Sequence, residues 1–284
     1  MTSSRADHWR LSDRVLSCPA RPLLMGIVNI TPNSFSDGGR FFDADAAVAR
    51  GLELVRQGAD LLDIGGESTR PYAQPVGENE ELRRVLPVIE RLAGEVGVPL
   101  SIDTSKPAVA RGAFAAGARI LNDVTGLEDP AMIEVALDCG AAVCVMHMLG
   151  TPRTMQDNPY YDDVVTEVVD YLRRRRDTLV SAGIAQDRIA LDPGIGFGKT
   201  AQHNLQLLRS IDRLHEIGCP VLVGHSRKRF IGEVLDNAEA NRTAGTVGTA
   251  LALARHRVQI LRVHDVATVR QALLLFEATG GLDC

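Results

Sequence analysis

Leu23-Leu24-Met25-Gly26-Ile27-Val28-Asn29 is an apolar run closed by a polar side chain, and residues of helical spacing follow it. The same beat sounds eight times along the chain. Leu61–Ile64, which carries Asp63, ends at Gly65-Gly66-Glu67. Leu100–Ile102 ends at Asp103, and Ile120-Leu121 at Asn122-Asp123. Ala141–Met146 ends at His147, and Ile189–Leu191 at Asp192. Val221–Val223 ends at Gly224-His225-Ser226. Ile260–Val263, with Arg262 inside it, ends at His264. Near-continuous apolar runs suit parallel strands covered by helices. Eight of them alternating with helices predict an α/β chain folded as a single (β/α)8 barrel. The C-terminal strand ends of such a barrel form the active-site face. The polar endings therefore mark a candidate site.

Composition agrees. The chain has 284 residues, and a barrel of this kind takes about 250. Hydrophobic residues make up 45% and charged residues 24%, as in ordinary globular proteins. A net charge of −5 gives no basic footprint for nucleic acid. Cys18, Cys139, Cys144, Cys219 and Cys284 have no metal-ligand spacing and read as reduced thiols. With no apolar leader and no run of membrane-spanning length, the expected location is cytoplasmic. Residues 1–20 read as a disordered or loosely docked arm, and 21–284 as the barrel domain.

Between the runs, Leu82, Val85, Leu86, Ile89 and Leu92 repeat at helical spacing behind Glu78, Glu80 and Glu81. Pro87 should kink that helix. A longer helix spans Val164 to Leu179. Gly194–Lys199 looks like the end of a phosphate loop, but the required first glycine falls on Pro193. A Gly-rich turn is the better reading. Gly224-His225-Ser226-Arg227 lacks the second glycine of a nucleophile elbow. Arg173–Arg176, flanked by Glu167, Asp170 and Asp177, reads as a solvated helix face.

The rim has a definite chemical character. Asp103, Asn122 and Asp192 stand on separate strands and offer acceptors suited to the N–H edge of a flat nitrogen heterocycle. A buried acceptor set rejects ligands that cannot donate to it. Arg262 and His264 share parity on the last strand, so they point to one side. With Arg70, Arg227 and Lys228 they provide the cations that a phosphate or diphosphate needs.

These residues lie in segments that resemble the dihydropteroate synthase family from about Leu23 to Ala278. The segments are Met25–Gly39 (MGIVNITPNSFSDGG), Asp63–Pro71 (DIGGESTRP), Ser101–Lys106 (SIDTSK) and Leu121–Val124 (LNDV). They continue with Met146–Gln156 (MHMLGTPRTMQ), Leu191–Lys199 (LDPGIGFGK), Ser226–Lys228 (SRK) and Arg262–Asp265 (RVHD). The resemblance implies condensation of (7,8-dihydropterin-6-yl)methyl diphosphate with 4-aminobenzoate (p-aminobenzoate), giving 7,8-dihydropteroate and diphosphate in folate biosynthesis. It also implies a homodimer, help from Mg2+ and inhibition by sulfonamides.

Carried over by position, the resemblance assigns Asp103, Asn122, Asp192 and Lys228 to the pterin ring. Asn29, Arg262 and His264 are assigned to the diphosphate, with Asn29 reaching the magnesium. Thr69, Arg70 and Ser226, with Pro32 and Phe35 of the first loop, border the 4-aminobenzoate site, which Gly196 and Phe197 shape. The implied catalytic set is Asp103, Lys228, Arg262 and His264. Asp103 would stabilise positive character on the pterin methylene as diphosphate leaves. Loops Thr31–Phe41 and Ser68–Gly77 are expected to close over the substrates.

Two positions depart from the family pattern. Tyr72 stands where the family usually has glycine, and a tyrosine does not reach positive φ cheaply. His225 precedes Ser-Arg-Lys where many members have an apolar residue. Its ring either borders the 4-aminobenzoate pocket or faces outward. The roles of His147 and Lys199 stay open. So do rival readings: a pterin-binding methyl-transfer module, or a non-catalytic paralogue. The first gives no reason for the rim cations. An aldolase barrel would want a Schiff-base lysine within a strand, and none is present.

Overall fold

The computed structural model describes residues 5–31, 44–70 and 72–283. Two short antiparallel strands come first, β1 (His8–Arg10) and β2 (Val15–Ser17). The barrel strands follow: β3 (Leu23–Asn29), β4 (Leu61–Gly65), β5 (Leu100–Asp103), β6 (Ile120–Asp123), β7 (Ala142–Met146), β8 (Ile189–Asp192), β9 (Leu222–Val223) and β10 (Ile260–Val263). Their order is β8-β7-β6-β5-β4-β3-β10-β9, and all the pairs are parallel. A parallel bridge between Leu191 and Val221 joins the two ends, so the sheet closes on itself. The eight apolar runs are thus the eight barrel strands.

Helices cover the outside: α1 (Ala44–Arg56), α2 (Glu78–Glu95), α3 (Pro107–Ala116), α4 (Pro130–Asp138), α5 (Val164–Ser181), α6 (Ala201–Arg209), α7 (Asp212–His215), α8 (Arg229–Val234), α9 (Thr243–Arg255) and α10 (Val266–Ala278). α2 runs through Pro87 as one helix, with Val85, Val88, Ile89 and Leu92 buried. Of the arginine run on α5, only part faces solvent. Arg175 donates to the carbonyls of Gly126 and Leu127, and Arg176 to that of Ile217.

Strand alternation divides the core in two. Leu62, Ile64, Leu121, Val143, Leu191 and Val263 face the helices and join the large outer core. Met25, Leu61, Ile120, Ala142, Ala190 and Ile260 face inward. One residue pair further along, the inward positions become Asp63, Asp103, Asn122, Asp192 and Arg262. The barrel interior is therefore apolar at its floor and polar at its mouth, because β4, β5, β6, β8 and β10 each carry a charged or amide side chain at the inward position beyond the floor.

Residues 5–20 of the N-terminal arm are neither disordered nor loosely docked. β1 and β2 form a hairpin whose Trp9 and Leu11 pack against the inward floor residues. Trp9 is fully buried, and its indole N–H donates to the carbonyl of Arg188 at 3.0 Å. Arg10 grips Asp187 with two hydrogen bonds of 2.7 and 2.8 Å. The hairpin plugs the end of the barrel opposite the polar rim. Sequence alone does not announce it, because three-residue strands carry little periodicity, whereas burying one indole brings several kcal/mol.

Candidate active site

The polar mouth is organised around one guanidinium. Arg262 Nε donates to Asp63 Oδ2 at 2.5 Å, and its Nη2 to Asp103 Oδ2 at 2.8 Å. Asn122 Nδ2 donates to the same Asp63 oxygen at 3.1 Å. Four strands thereby meet: β4, β5, β6 and β10. Asp103 and Asn122 are register partners, as are Asn29 and Gly65, and Gly65 and Asp103. Asp63 Oδ1 and Ser101 Oγ are buried with no partner among the described residues. Unsatisfied buried acceptors are rare, and here they leave hydrogen-bonding capacity inside the barrel.

Asp192 closes the other side. Its Oδ1 accepts the N–H of Gly194 at 2.7 Å. A Cβ at Gly224 would stand 3.9 Å from Asp192 Oδ2 and 3.8 Å from Arg262 Cδ. The glycine thus leaves open room between acid and base. Lys228 Nζ lies 4.1 Å from the centre of the Phe197 ring and forms no ion pair among the described residues. Ser226 Oγ is 3.1 Å from His264 Nδ1 and accepts the backbone N–H of His264 at 3.3 Å, which ties the ends of β9 and β10 together. Arg227, between Ser226 and Lys228, has a φ of 57°, a strained value of the kind held at functional turns.

Electrostatics follow from burial. Asp103 is pushed up to about 7 by burial; Arg262 opposes the shift, while Asp63, sharing the same guanidinium, adds to it. Burial pushes Asp192 up to about 6. Burial, then Arg262, bring Lys228 down to about 8. The same two causes bring His264 down to about 3, so its ring is neutral at pH 7. Burial alone would lower Arg262, but Asp63 and Asp103 more than offset it and drive it up. Near neutral pH the mouth thus holds a fixed guanidinium, an ammonium and carboxylates close to their titration range. Perturbed groups converging at one end of a barrel mark a functional site.

The second loop is anchored by a part-buried ion triad. Lys106 Nζ pairs with Glu67 and, at 2.5 Å, with Glu81 Oε2. Glu67 Oε1 accepts the N–H of Val76 at 2.9 Å, closing the loop base around Thr69 and Arg70. Glu81, read from sequence as part of an acidic helix start, is fully buried. Tyr72 does adopt positive φ, at 64°. Its N–H donates to the carbonyl of Pro152 at 3.2 Å and its hydroxyl to Asp157 at 3.1 Å, which holds it there against the steric cost. His225 neither borders the pocket nor faces outward. It is fully buried, with Nε2 at 3.1 Å from the carbonyl of Thr246 in α9.

The structure therefore brings Asp103, Asn122, Asp192, Arg262, His264, Lys228, Phe197 and Ser226 to one rim. Asn29 ends β3 on the same rim, and Thr69 and Arg70 follow β4. Pro32, Phe35 and most of the first loop lie outside the described residues, as does Pro71. The sequence reading missed Asp63 as a site residue. A lone carboxylate inside an apolar strand run was the available signal.

Residues 25–264 match the family model of the pterin binding enzymes. The dihydropteroate synthase of Haemophilus influenzae is 45% identical over 259 residues, covering 91% of this chain and 94% of its own. The chain belongs to the dihydropteroate synthase family. Among solved structures, the Xanthomonas albilineans dihydropteroate synthase with 4-aminobenzoic acid superposes with a TM-score of 0.89 at 48% identity, covering 96% of this chain and 98% of that one. The same enzyme in complex with 7,8-dihydropteroate gives 0.86 at 46% identity, with the same coverage. The family's barrel is thus this chain's fold, and membership of the dihydropteroate synthase family replaces the methyl-transfer and aldolase readings. No helix among the described residues is long and apolar enough to cross a membrane.

Proposed function

We propose that the rim carries out the dihydropteroate synthase reaction with a division of labour set by its charges. (7,8-Dihydropterin-6-yl)methyl diphosphate enters the mouth with its pterin ring among Asp103, Asn122, Asp192 and Lys228. The ring's N–H groups donate to Asp192 and to the acceptors beside Asp63, and the Lys228 ammonium donates to a ring acceptor. The diphosphate lies toward Asn29 and His264. Arg262, on the strand that His264 directly follows, adds the fixed positive charge near the leaving group. The observation that carries this reading is the Asp63–Arg262–Asp103 cluster with its neighbours Asn122 and Asp192: a buried acceptor set with one cation at the polar mouth of the barrel.

Departure of diphosphate leaves positive character on the pterin methylene, which the Asp103 carboxylate stabilises. The arylamine of 4-aminobenzoate attacks as a neutral nucleophile, so catalysis is chiefly positioning and charge stabilisation. Thr69, Arg70, Ser226 and Phe197 border the site for the second substrate. The Ser226 hydroxyl is shared with His264, so a carboxylate there would accept from it while Nδ1 of the ring is released.

For magnesium, no three His, Cys, Asp or Glu side chains cluster as a binding set among the described residues. That fits an ion held by few protein ligands: Mg2+ commonly takes one or two protein oxygens plus phosphate and water. Asn29 offers such an oxygen at the right rim. When bound, the ion would neutralise charge building on the leaving diphosphate. The enzyme works as a homodimer in the cytoplasm on this reading, which the resemblance supports; the four described cysteines, none in a disulfide, fit a reducing compartment.

The test is calorimetric. A pterin with an intact N–H edge should bind the wild-type chain, and Asp192→Ala and Asn122→Ala should each weaken it at least about tenfold, the cost of one lost charged or buried hydrogen bond. Unchanged binding in both variants would remove the pterin from this end of the barrel.

A further inference from the structure

Lys199 and His147 are the two rim residues with no part in the division of labour above, and both are almost fully buried. Lys199 Nζ is 2.9 Å from His147 Nδ1, 2.9 Å from the carbonyl of Phe197 and 3.4 Å from the carbonyl of His147. Burial brings Lys199 down to about 7; in its ammonium form its three N–H donors meet three neutral acceptors, and it forms no ion pair among the described residues. Burial, then Lys199, hold His147 near about 3, so the ring is neutral and Nδ1 presents its lone pair. The ring is fixed edge-on to Tyr171, with centroids 4.9 Å apart. An ammonium turned inward in this way also cannot serve the phosphate-loop reading of Gly194–Lys199.

The loop that Lys199 closes is built for close approach. Gly194, Gly196 and Gly198 have φ of 67°, 82° and 62°. A Cβ at Gly194 would run into the carbonyl of His147. Three successive carbonyls of the loop are each clamped. Gln156 Nε2 holds that of Gly196 at 2.8 Å, Lys199 that of Phe197, and the Tyr161 hydroxyl that of Gly198 at 2.8 Å. Phe197 is the middle one, and its ring is the surface against which Lys228 rests.

We infer that Lys199 is a positioning residue for the 4-aminobenzoate pocket: with neutral His147 it ties the Phe197 backbone to the end of β7 and so fixes the Phe197 ring beneath Lys228. The inference rests on the site assignment proposed above for Phe197 and Lys228. A lysine serves here because one ammonium reaches three acceptors on two segments at once, which a hydroxyl or an amide cannot do. Gln156 and Tyr161 hold the flanking carbonyls and limit how far the loop relaxes when Lys199 is changed.

The experiment is a double-mutant cycle in steady-state kinetics with wild type, Lys199→Met, Phe197→Leu and the double variant, alongside Lys228→Ala. Lys199→Met should raise KM for 4-aminobenzoate about tenfold, with kcat within about threefold, because the pocket wall moves while the reacting centre stays intact. In the Phe197→Leu background the same change should cost less than about twofold, since the wall it positions is gone. Lys199→Gln, which keeps one donor toward the Phe197 carbonyl, should fall between wild type and Lys199→Met. Additive losses in the two backgrounds, a fall confined to kcat, or no effect of Lys199→Met would each overturn the inference. If Lys199→Met does not fold, the cycle is run with Lys199→Gln under the same criteria. Lys228→Ala separates the two claims. Loss of activity there with additive Lys199 effects rejects only the positioning role, whereas full activity in Lys228→Ala rejects the site assignment beneath it.

Discussion

Replacing Arg262 by methionine probes the balance of charge at the barrel mouth. The substitution keeps the aliphatic stem but leaves Asp63 and Asp103 without the guanidinium that each contacts, at 2.5 and 2.8 Å. Breaking a buried pair by removing one partner costs about 3–5 kcal/mol, because an uncompensated charge remains. The chain escapes part of that cost by protonating the carboxylate. Starting from an ordinary value of 3.8, that route costs about 1.4 kcal/mol for each pH unit above it. The ceiling is about 5.7 kcal/mol at pH 8, so the full penalty is felt there. At pH 5.5 the ceiling for one carboxylate of that ordinary value is only about 2.3 kcal/mol. Asp103, already raised to about 7 in the intact protein, is protonated at that pH in wild type and variant alike. In the variant Asp103 loses the guanidinium that opposes its upward shift and is raised further above its unfolded value, so the stability it contributes is full at low pH and is lost as pH rises toward 8.

Urea unfolding followed by circular dichroism at pH 5.5 and 8 should therefore give a penalty of about 3–5 kcal/mol at pH 8, shrinking to about 2 or less at pH 5.5. Adding Asp63→Asn should recover at least about half of the loss at pH 8, because the stranded charge is gone. A penalty equal at the two pH values, or larger at pH 5.5, would refute the claim that one guanidinium compensates two buried carboxylates.

Three further outcomes follow from the same geometry. Pterin affinity should fall about tenfold per pH unit below about 6, since burial raises Asp192 to about 6 and the ring's N–H groups need it ionised; calorimetry should show that slope vanish in Asp192→Asn. Trp9→Ala should lower stability by about 3–5 kcal/mol without changing KM for either substrate, because the plug sits at the end of the barrel away from the rim; chemical denaturation and kinetics on the same samples check both halves. Lys106→Met should strand Glu81 and loosen the base of the second loop, lowering stability by about 3–5 kcal/mol at pH 8 and raising KM for 4-aminobenzoate; an unchanged KM would detach the ion triad from the site.

Much of this architecture was legible in the sequence for a physical reason. Parallel strands buried on both faces read as apolar runs, and in a closed barrel their polar endings converge. Asp103, Asn122, Asp192 and His264 could therefore be placed on one rim. What was not legible depends on pairing across the barrel. Asp63 and Arg262 are 199 residues apart and meet only when the sheet closes. Glu81 has the local appearance of a helix-start acid, and only Lys106, on the next βα connection, makes it a buried ion. Tyr72 violates its own backbone preference because two contacts from the 150–160 segment hold it. The hairpin around Trp9 is too short to announce itself, and His225 is drawn inward by a single helix carbonyl.

The most direct test of the account is diphosphate release by the purified chain. Dihydropterin-methyl diphosphate and magnesium are supplied with and without 4-aminobenzoate, to wild type and to Asp103→Asn. The account predicts release that depends on 4-aminobenzoate and falls at least about a hundredfold in the variant, as when a group that stabilises transition-state charge is lost. Release that is indifferent to 4-aminobenzoate, or undiminished in Asp103→Asn, would contradict it.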